Sequence, residues 1–262
     1  MGRTGTHDGD GELTPIEGGG LLGHAHAGTF APGVATPPGP PVTGYFAWYD
    51  ASQITGVADG ANLTDWKDLS GNHYDATPPG MSSGPIFYKT TSAKLINGLP
   101  AVWFASANDD LETAAFGSAV AQPDTICLVA EFTGLSVSNV AVIDGREAGD
   151  MKLQYYNGDT YAGAGATSAG EVGWTNANGP QVTTVQFHGA TSLLRFGGAT
   201  IDNGSYGTNA LDGITLGSFG SPLTAQAWTG PICEVIYWPS ALSLANIELV
   251  EGYLGTKWGI AV

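Results

Sequence analysis

Glycosidic bonds are cleaved by carboxylate pairs held about 5 Å or about 6.5–9.5 Å apart. The acids set among strand-like residues are Glu131, in LVAEFT, and Glu234, in ICEVIYW. Each stands alone, with no second carboxylate at the alternate spacing that would put both on one face of a strand. No G-x-S-x-G, H-E-x-x-H or phosphate-cradling glycine loop occurs in a suitable context. The sequence therefore predicts that the chain is not an enzyme and has no catalytic residue.

Metal and sugar chemistry are next. His24 and His26 form an H-x-H pair, which would chelate only if several chains met on an axis. Oxygen-rich stretches at Asp109–Asp110, at Asp144 with Asp150, and at Asn157–Asp159 are the calcium candidates. Calcium takes six to eight oxygens, and no EF-hand-like spacing gathers them, so neither a cofactor nor a metal site is expected. Sugar recognition needs an aromatic platform beside polar partners. Tyr155, Tyr156, Tyr161 and Trp174 lie in a polar, Gly-rich stretch where a large ring has no obvious core to join, and they are the candidate glycan-binding residues. Trp103, Phe104, Trp228, Tyr237, Trp238 and Trp258 read as core. Cys127 and Cys233 both sit in apolar runs and read as buried free thiols. A disulfide between them is the alternative, and the sequence alone does not choose.

The elements that must position these residues are short strands. Of 262 residues, 42% are hydrophobic and only 12% charged, and there are 40 glycines. Such a chain builds many turns and covers itself with small polar residues. Residues 1–43 carry eleven Gly, six Pro and few large apolar side chains, so this segment reads as an extended Gly/Pro-rich arm with few contacts to the domain that follows. From residue 44 to 262 the pattern changes. Apolar runs at 44–50, 99–104, 125–133, 139–144, 151–156, 181–188, 192–198, 213–219 and 232–238 are strand candidates, with a hairpin turn at His188–Thr191. In the 181–188 run, Val182, Val185 and Phe187 are assigned to one side, with a slip near Thr184. One helix is evident: Ser243 caps it, Leu244, Ile247, Val250, Leu254 and Trp258 form its stripe, and Gly259 ends it.

Three motifs in order add a resemblance. WYDAS (48–52) with LTDWKDLSGNHYDAT (63–77) looks like a W-x-D-x-S-G-N turn. INGLPAVWF followed by NDDLET (96–113) is similar to an N-G-x-P-A-V-x-F strand and the D-D-x-L after it. GPICEVIYWPSALSLANIELVEGYLGTKWGI (230–260) is similar to a G-x-I-x-E-V-x-I-Y strand, an A-L-S turn and a closing helix that ends in K-W-G. In this order they resemble the concanavalin A-like, laminin G-like jelly rolls of tailed-phage virion proteins and bacterial surface proteins, over about Tyr45 to Ile260. The resemblance implies an all-β, jelly-roll β-sandwich of two antiparallel sheets with a short C-terminal helix. Glucanases related to this family carry E-x-D-x-(x)-E on one strand, and nothing here matches it. Fold alone does not give function, because this fold carries lectins, glucanases and packing modules. Within the motifs, Asp68, Ser70, Gly71 and Asn72 are turn formers, and Trp48 and Trp66 plug an edge. Asp109 and Asp110 tie a loop through backbone amides. Any sugar contact is expected from the Tyr155–Trp174 loops and not from Trp66, Asp68 or Asn72.

The chain has 24 acidic and 8 basic residues, a net charge of −16. That field repels nucleic acid and anionic membranes, and no apolar run reaches the roughly 20 residues of a membrane span. The first residues lack the apolar core of a secretory signal. Taken together, these features predict a phage virion structural protein, a capsid decoration protein or a head or tail fibre module at the virion surface. It would be homo-oligomeric, anchored on a major capsid or other virion protein through its arm, with host glycans as a further partner. A bacterial carbohydrate-binding surface adhesin is the alternative, and a glycosidase the third reading.

Overall fold

The computed structural model describes residues 39–80, 82–105, 109–133, 140–146, 152–156, 159–165, 171–172, 179–220 and 227–262. In chain order the strands are β1 (Ala47–Asp50), β2 (Ala61–Asn62), β3 (Ala76–Thr77), β4 (Ile86–Tyr88), β5 (Ala101–Phe104), β6 (Leu111–Thr113), β7 (Asp124–Ala130) and β8 (Val140–Asp144). They continue with β9 (Lys152–Tyr156), β10 (Asp159–Gly163), β11 (Glu171–Val172), β12 (Gln181–Phe187), β13 (Ser192–Phe196), β14 (Ala199–Gly204), β15 (Thr215–Leu216) and β16 (Gly230–Trp238). Helix α1 (Leu244–Trp258) closes the chain.

Two antiparallel sheets form a sandwich, as the sequence predicts. One runs β14-β13-β12-β7-β16-β5-β4-β2, with β1 also on β16. The other runs β11-β10-β9-β8-β15-β6-β3. Strands β7 and β16 are buried at every position. One of their faces meets the second sheet and the other lies under α1, which explains their near-continuous apolar sequence.

The same burial corrects the reading of the 181–188 run. Strand β12 pairs residue by residue with β7 from Gln181↔Ala130 to Phe187↔Asp124 without a slip. Regular alternation puts Val182, Thr184 and Gln186 on one face and Thr183, Val185 and Phe187 on the other. Thr184 and Gln186 sit on the face toward α1: Gln186 Nε2 donates to Leu242 O at 2.9 Å, and the neighbouring Arg195 holds Glu251 of α1. Polar residues on a strand had signalled solvent, but here they are buried under the helix.

Helix α1 begins at Ser243, whose side chain accepts from Asn246 N, and ends at Gly259, in the left-handed region at φ 69°. Ile247, Val250, Leu254 and Trp258 are buried as predicted, whereas Leu244 is 52% exposed and leaves the stripe. The expected hairpin turn at His188–Thr191 is a short 3-10 turn, Gly189–Thr191, between β12 and β13. Cys127 and Cys233 are both free and buried. Of the arm, residues 1–38 lie outside the described residues. Its last residues do touch the sandwich: Pro40 is buried, and Val42 O accepts from Trp238 Nε1 at 3.3 Å. Among the described residues no helix is long and apolar enough to cross a membrane.

Candidate functional site

The W-x-D-x-S-G-N turn is fastened to β1 by side-chain hydrogen bonds. Asp68 Oδ1 accepts from Trp48 N (3.0 Å) and Ser70 N (2.9 Å), and its Oδ2 accepts from Ser70 Oγ (2.7 Å) and Tyr74 N (3.1 Å). Asn72 Nδ2 donates to Phe46 O at 2.9 Å. On the other side of β1, Asp50 Oδ1 accepts from Ser52 N and Ser52 Oγ and sets the 3-10 turn Ala51–Gln53. Two loops, 53–57 and 64–69, are thus held apart by rigid anchors.

Between them lies a cleft of about 430 Å³. Gln53, Asp65 and Lys67 give it polar walls, and the half-buried Ile54, Val57 and Leu69 give it apolar ones. Trp66, buried to 1% exposure, also lines it. Trp66 Nε1 and Asp65 Oδ1 are buried with no hydrogen-bond partner among the described residues, a condition that costs about 1–3 kcal/mol per group. Lys67 Nζ is shared by Asp65 and by Asp75, the latter at 2.7 Å.

Behind the cleft is an ionic hub that the sequence did not disclose. The β1–β16 register sets Asp50 opposite Glu234, and Lys257 of α1 reaches both, at 2.5 Å from Asp50 Oδ2 and 2.7 Å from Glu234 Oε2. Glu234 also accepts from Trp48 Nε1 (2.8 Å), Tyr253 OH (2.9 Å) and Trp258 Nε1 (2.8 Å). Burial, and then the Asp50 charge, push the Glu234 carboxyl above its usual range, opposed by Lys257. Burial, and then the Glu234 charge, likewise raise the Tyr253 hydroxyl. A carboxylate with four donors has no lone pair left for a substrate proton, so this pair clamps α1 to the sheet. A second buried pair, Arg195–Glu251 at 2.8 Å, does the same nearer the middle of the helix. The apolar run around Glu234 shows only that a charge there requires a counter-charge, not which residue supplies it.

The other predicted residues are placed as follows. Tyr161 is 9% exposed on β10. Tyr155 and Tyr156 stand on β9 opposite Thr160 and Asp159, their side chains lie outside what is described, and Trp174 lies outside the described residues altogether. So do His24, His26, Asp150 and Asn157. Asp109 Oδ2 accepts from Ala105 N at 2.7 Å, tying its loop as expected. Asp144 Oδ1 accepts from Gly145 N at 2.8 Å. Among the described residues, no three His, Cys, Asp or Glu side chains gather to hold a metal ion. Trp103 is half-buried, with Lys94 Nζ 3.6 Å above its ring, whereas Phe104, Trp228, Tyr237, Trp238 and Trp258 are core.

No family model matches the chain. No sequence match is found among curated proteins. Solved structures do share the fold. A Trypanosoma rangeli sialidase in complex with sialic acid aligns with a TM-score of 0.58 at 12% identity, over 83% of this chain and 34% of the sialidase. Domain 4 of AbnA, a GH43 extracellular arabinanase from Geobacillus stearothermophilus in complex with arabinotriose, aligns at 0.58 and 13%, over 79% of this chain and 98% of that domain. The ligand binding domain of botulinum neurotoxin serotype D in complex with N-acetylneuraminic acid aligns at 0.57 and 12%, over 84% and 54%. The chain thus spans about a third of the sialidase's length. These likenesses correct the expectation of a non-enzyme: the same sandwich occurs in two glycosidases.

Proposed function

We propose that the chain is a carbohydrate-binding β-sandwich module, and that the cleft between residues 53–57 and 64–69 receives the sugar. The cleft carries the reading. Its mixed walls suit a ligand with apolar C–H faces and polar edges, and it is framed by loops fixed to β1 rather than by free-standing ones. The unpaired Trp66 N–H and Asp65 Oδ1 call for a group that both accepts and donates, as a hydroxyl does. Reaching them requires the rim to adjust, and Lys67 at the rim is 64% exposed. The bound sugars of the three similar structures support the same reading. None of those three is a virion protein, so the capsid role of the arm gains nothing from them.

The test is a glycan array probed with the full chain, followed by chromatography of each bound glycan after incubation. Selective binding that Gln53→Ala weakens about tenfold or more, roughly 1.4 kcal/mol, is expected. Absence of binding across neutral and acidic glycans overturns the proposal. Shortened products in the incubation would identify a glycosidase.

A further inference from the structure

Two of the three similar structures hold a sialic acid, whose carboxylate needs a cation. Among the described residues lining this cleft, Lys67 is the only cation. It is already committed: its Nζ lies between the carboxylates of Asp65 and Asp75, and their hydrogen bonds, Asp65 first, hold its ammonium charged to well above the ordinary lysine range. Asp75 is fixed in turn, because its Oδ1 accepts from Asp68 N at 2.9 Å inside the anchored turn. The trio carries a net −1. The remaining acidic residue on the lining, Asp50, shares Lys257 with Glu234 on the buried side, so Lys257 leaves no positive charge over for a ligand. Beyond the cleft the whole chain carries −16, a field that disfavours any anion.

We infer that the cleft selects uncharged glycans and rejects sialylated ones, with Asp65 and Asp75 acting as specificity determinants by occupying Lys67. The inference rests on the glycan-binding reading above. A neutral sugar presents hydroxyls that can donate to Asp65, which lines the cleft and whose Oδ1 has no partner among the described residues. A sialylated sugar brings a second negative charge to a site that already has an excess. Like charges a few ångströms apart at a protein surface repel, and the expected effect is about tenfold or more in affinity.

The test uses matched neutral and sialylated pairs, such as lactose and 3′-sialyllactose, on the same array and then in titration calorimetry with the full chain. The neutral member of each bound pair should bind about tenfold or more tightly. The gap should shrink as salt screens the repulsion. The double variant D65N/D75N frees Lys67 while keeping an oxygen acceptor for Asp68 N, and it should bring the sialylated member to equal or tighter binding. An unchanged melting temperature would show the fold intact. Wild type that prefers sialylated members overturns this inference and leaves the glycan reading standing. A gap unmoved in D65N/D75N overturns the role given to Lys67 and its two carboxylates. If no member of any pair binds, the glycan reading itself falls, and this inference with it.

Discussion

Lys257→Met places an apolar chain of similar length where the ammonium now sits. Two carboxylates, Asp50 at 1% and Glu234 at 0% exposure, then lose their counter-charge. Leaving buried charge uncompensated costs about 3–5 kcal/mol. Proton uptake limits the loss. Burial and the Asp50 charge already raise Glu234, and removing the ammonium raises it further. A carboxyl whose folded pKa exceeds its unfolded value contributes stability that is full below the unfolded pKa and is lost as pH rises through the folded one. The variant should therefore lie about 3–5 kcal/mol below wild type at pH 7.5 and recover part of that at pH 5. Urea denaturation at the two pH values measures it. Adding Asp50→Asn to the variant removes one of the stranded charges and should return stability at pH 7.5. A loss under about 1 kcal/mol at both pH values would mean that Lys257 does not hold the helix to the sheet.

Three other outcomes follow from the packing. Leu254→Ala should cost about 2–5 kcal/mol by thermal or urea denaturation, because Leu254 is fully buried on the face of α1 that packs against the sheet; a loss below ~0.5 kcal/mol would show an undocked helix. Asp124 is buried with only the Tyr237 hydroxyl on Oδ1 and nothing on Oδ2 among the described residues, and burial pushes its carboxyl up to about 7. Its protonated form is favoured in the folded state, so its contribution should decline as pH rises from about 4 to about 7, and Asp124→Asn should gain on wild type by roughly 4 kcal/mol at most across that window. Equal pH profiles for the two proteins would refute this. Burial raises the Cys127 thiol to about 12 and also raises Cys233, so an aromatic disulfide reagent should label neither until the protein is unfolded. Labelling of the native protein would place a thiol at the surface.

The sequence displayed the sandwich because its longest buried strands, β7 and β16, are apolar runs that need no partner to be recognised. It hid β2, β3 and β11, two-residue strands whose pairing comes from the sheet and not from any local pattern. The hub was illegible for a different reason: Asp50, Glu234 and Lys257 are far apart in the chain and meet only through the β1–β16 register and the docking of α1. Tyr161 shows the reverse error. Gly-rich polar neighbours suggested an exposed ring, yet tertiary packing covers all but 9% of it. The motif residues were read correctly as turn formers, and the structure adds that the same anchored turn frames a cleft.

The glycan reading is tested most directly by a backbone amide NMR titration of the full chain with a neutral oligosaccharide selected from the array. Saturable shifts confined to residues 53–57 and 64–69, weakened in Gln53→Ala, are the predicted result. Shifts that map elsewhere on the sandwich, or a spectrum unchanged at millimolar sugar, would contradict it.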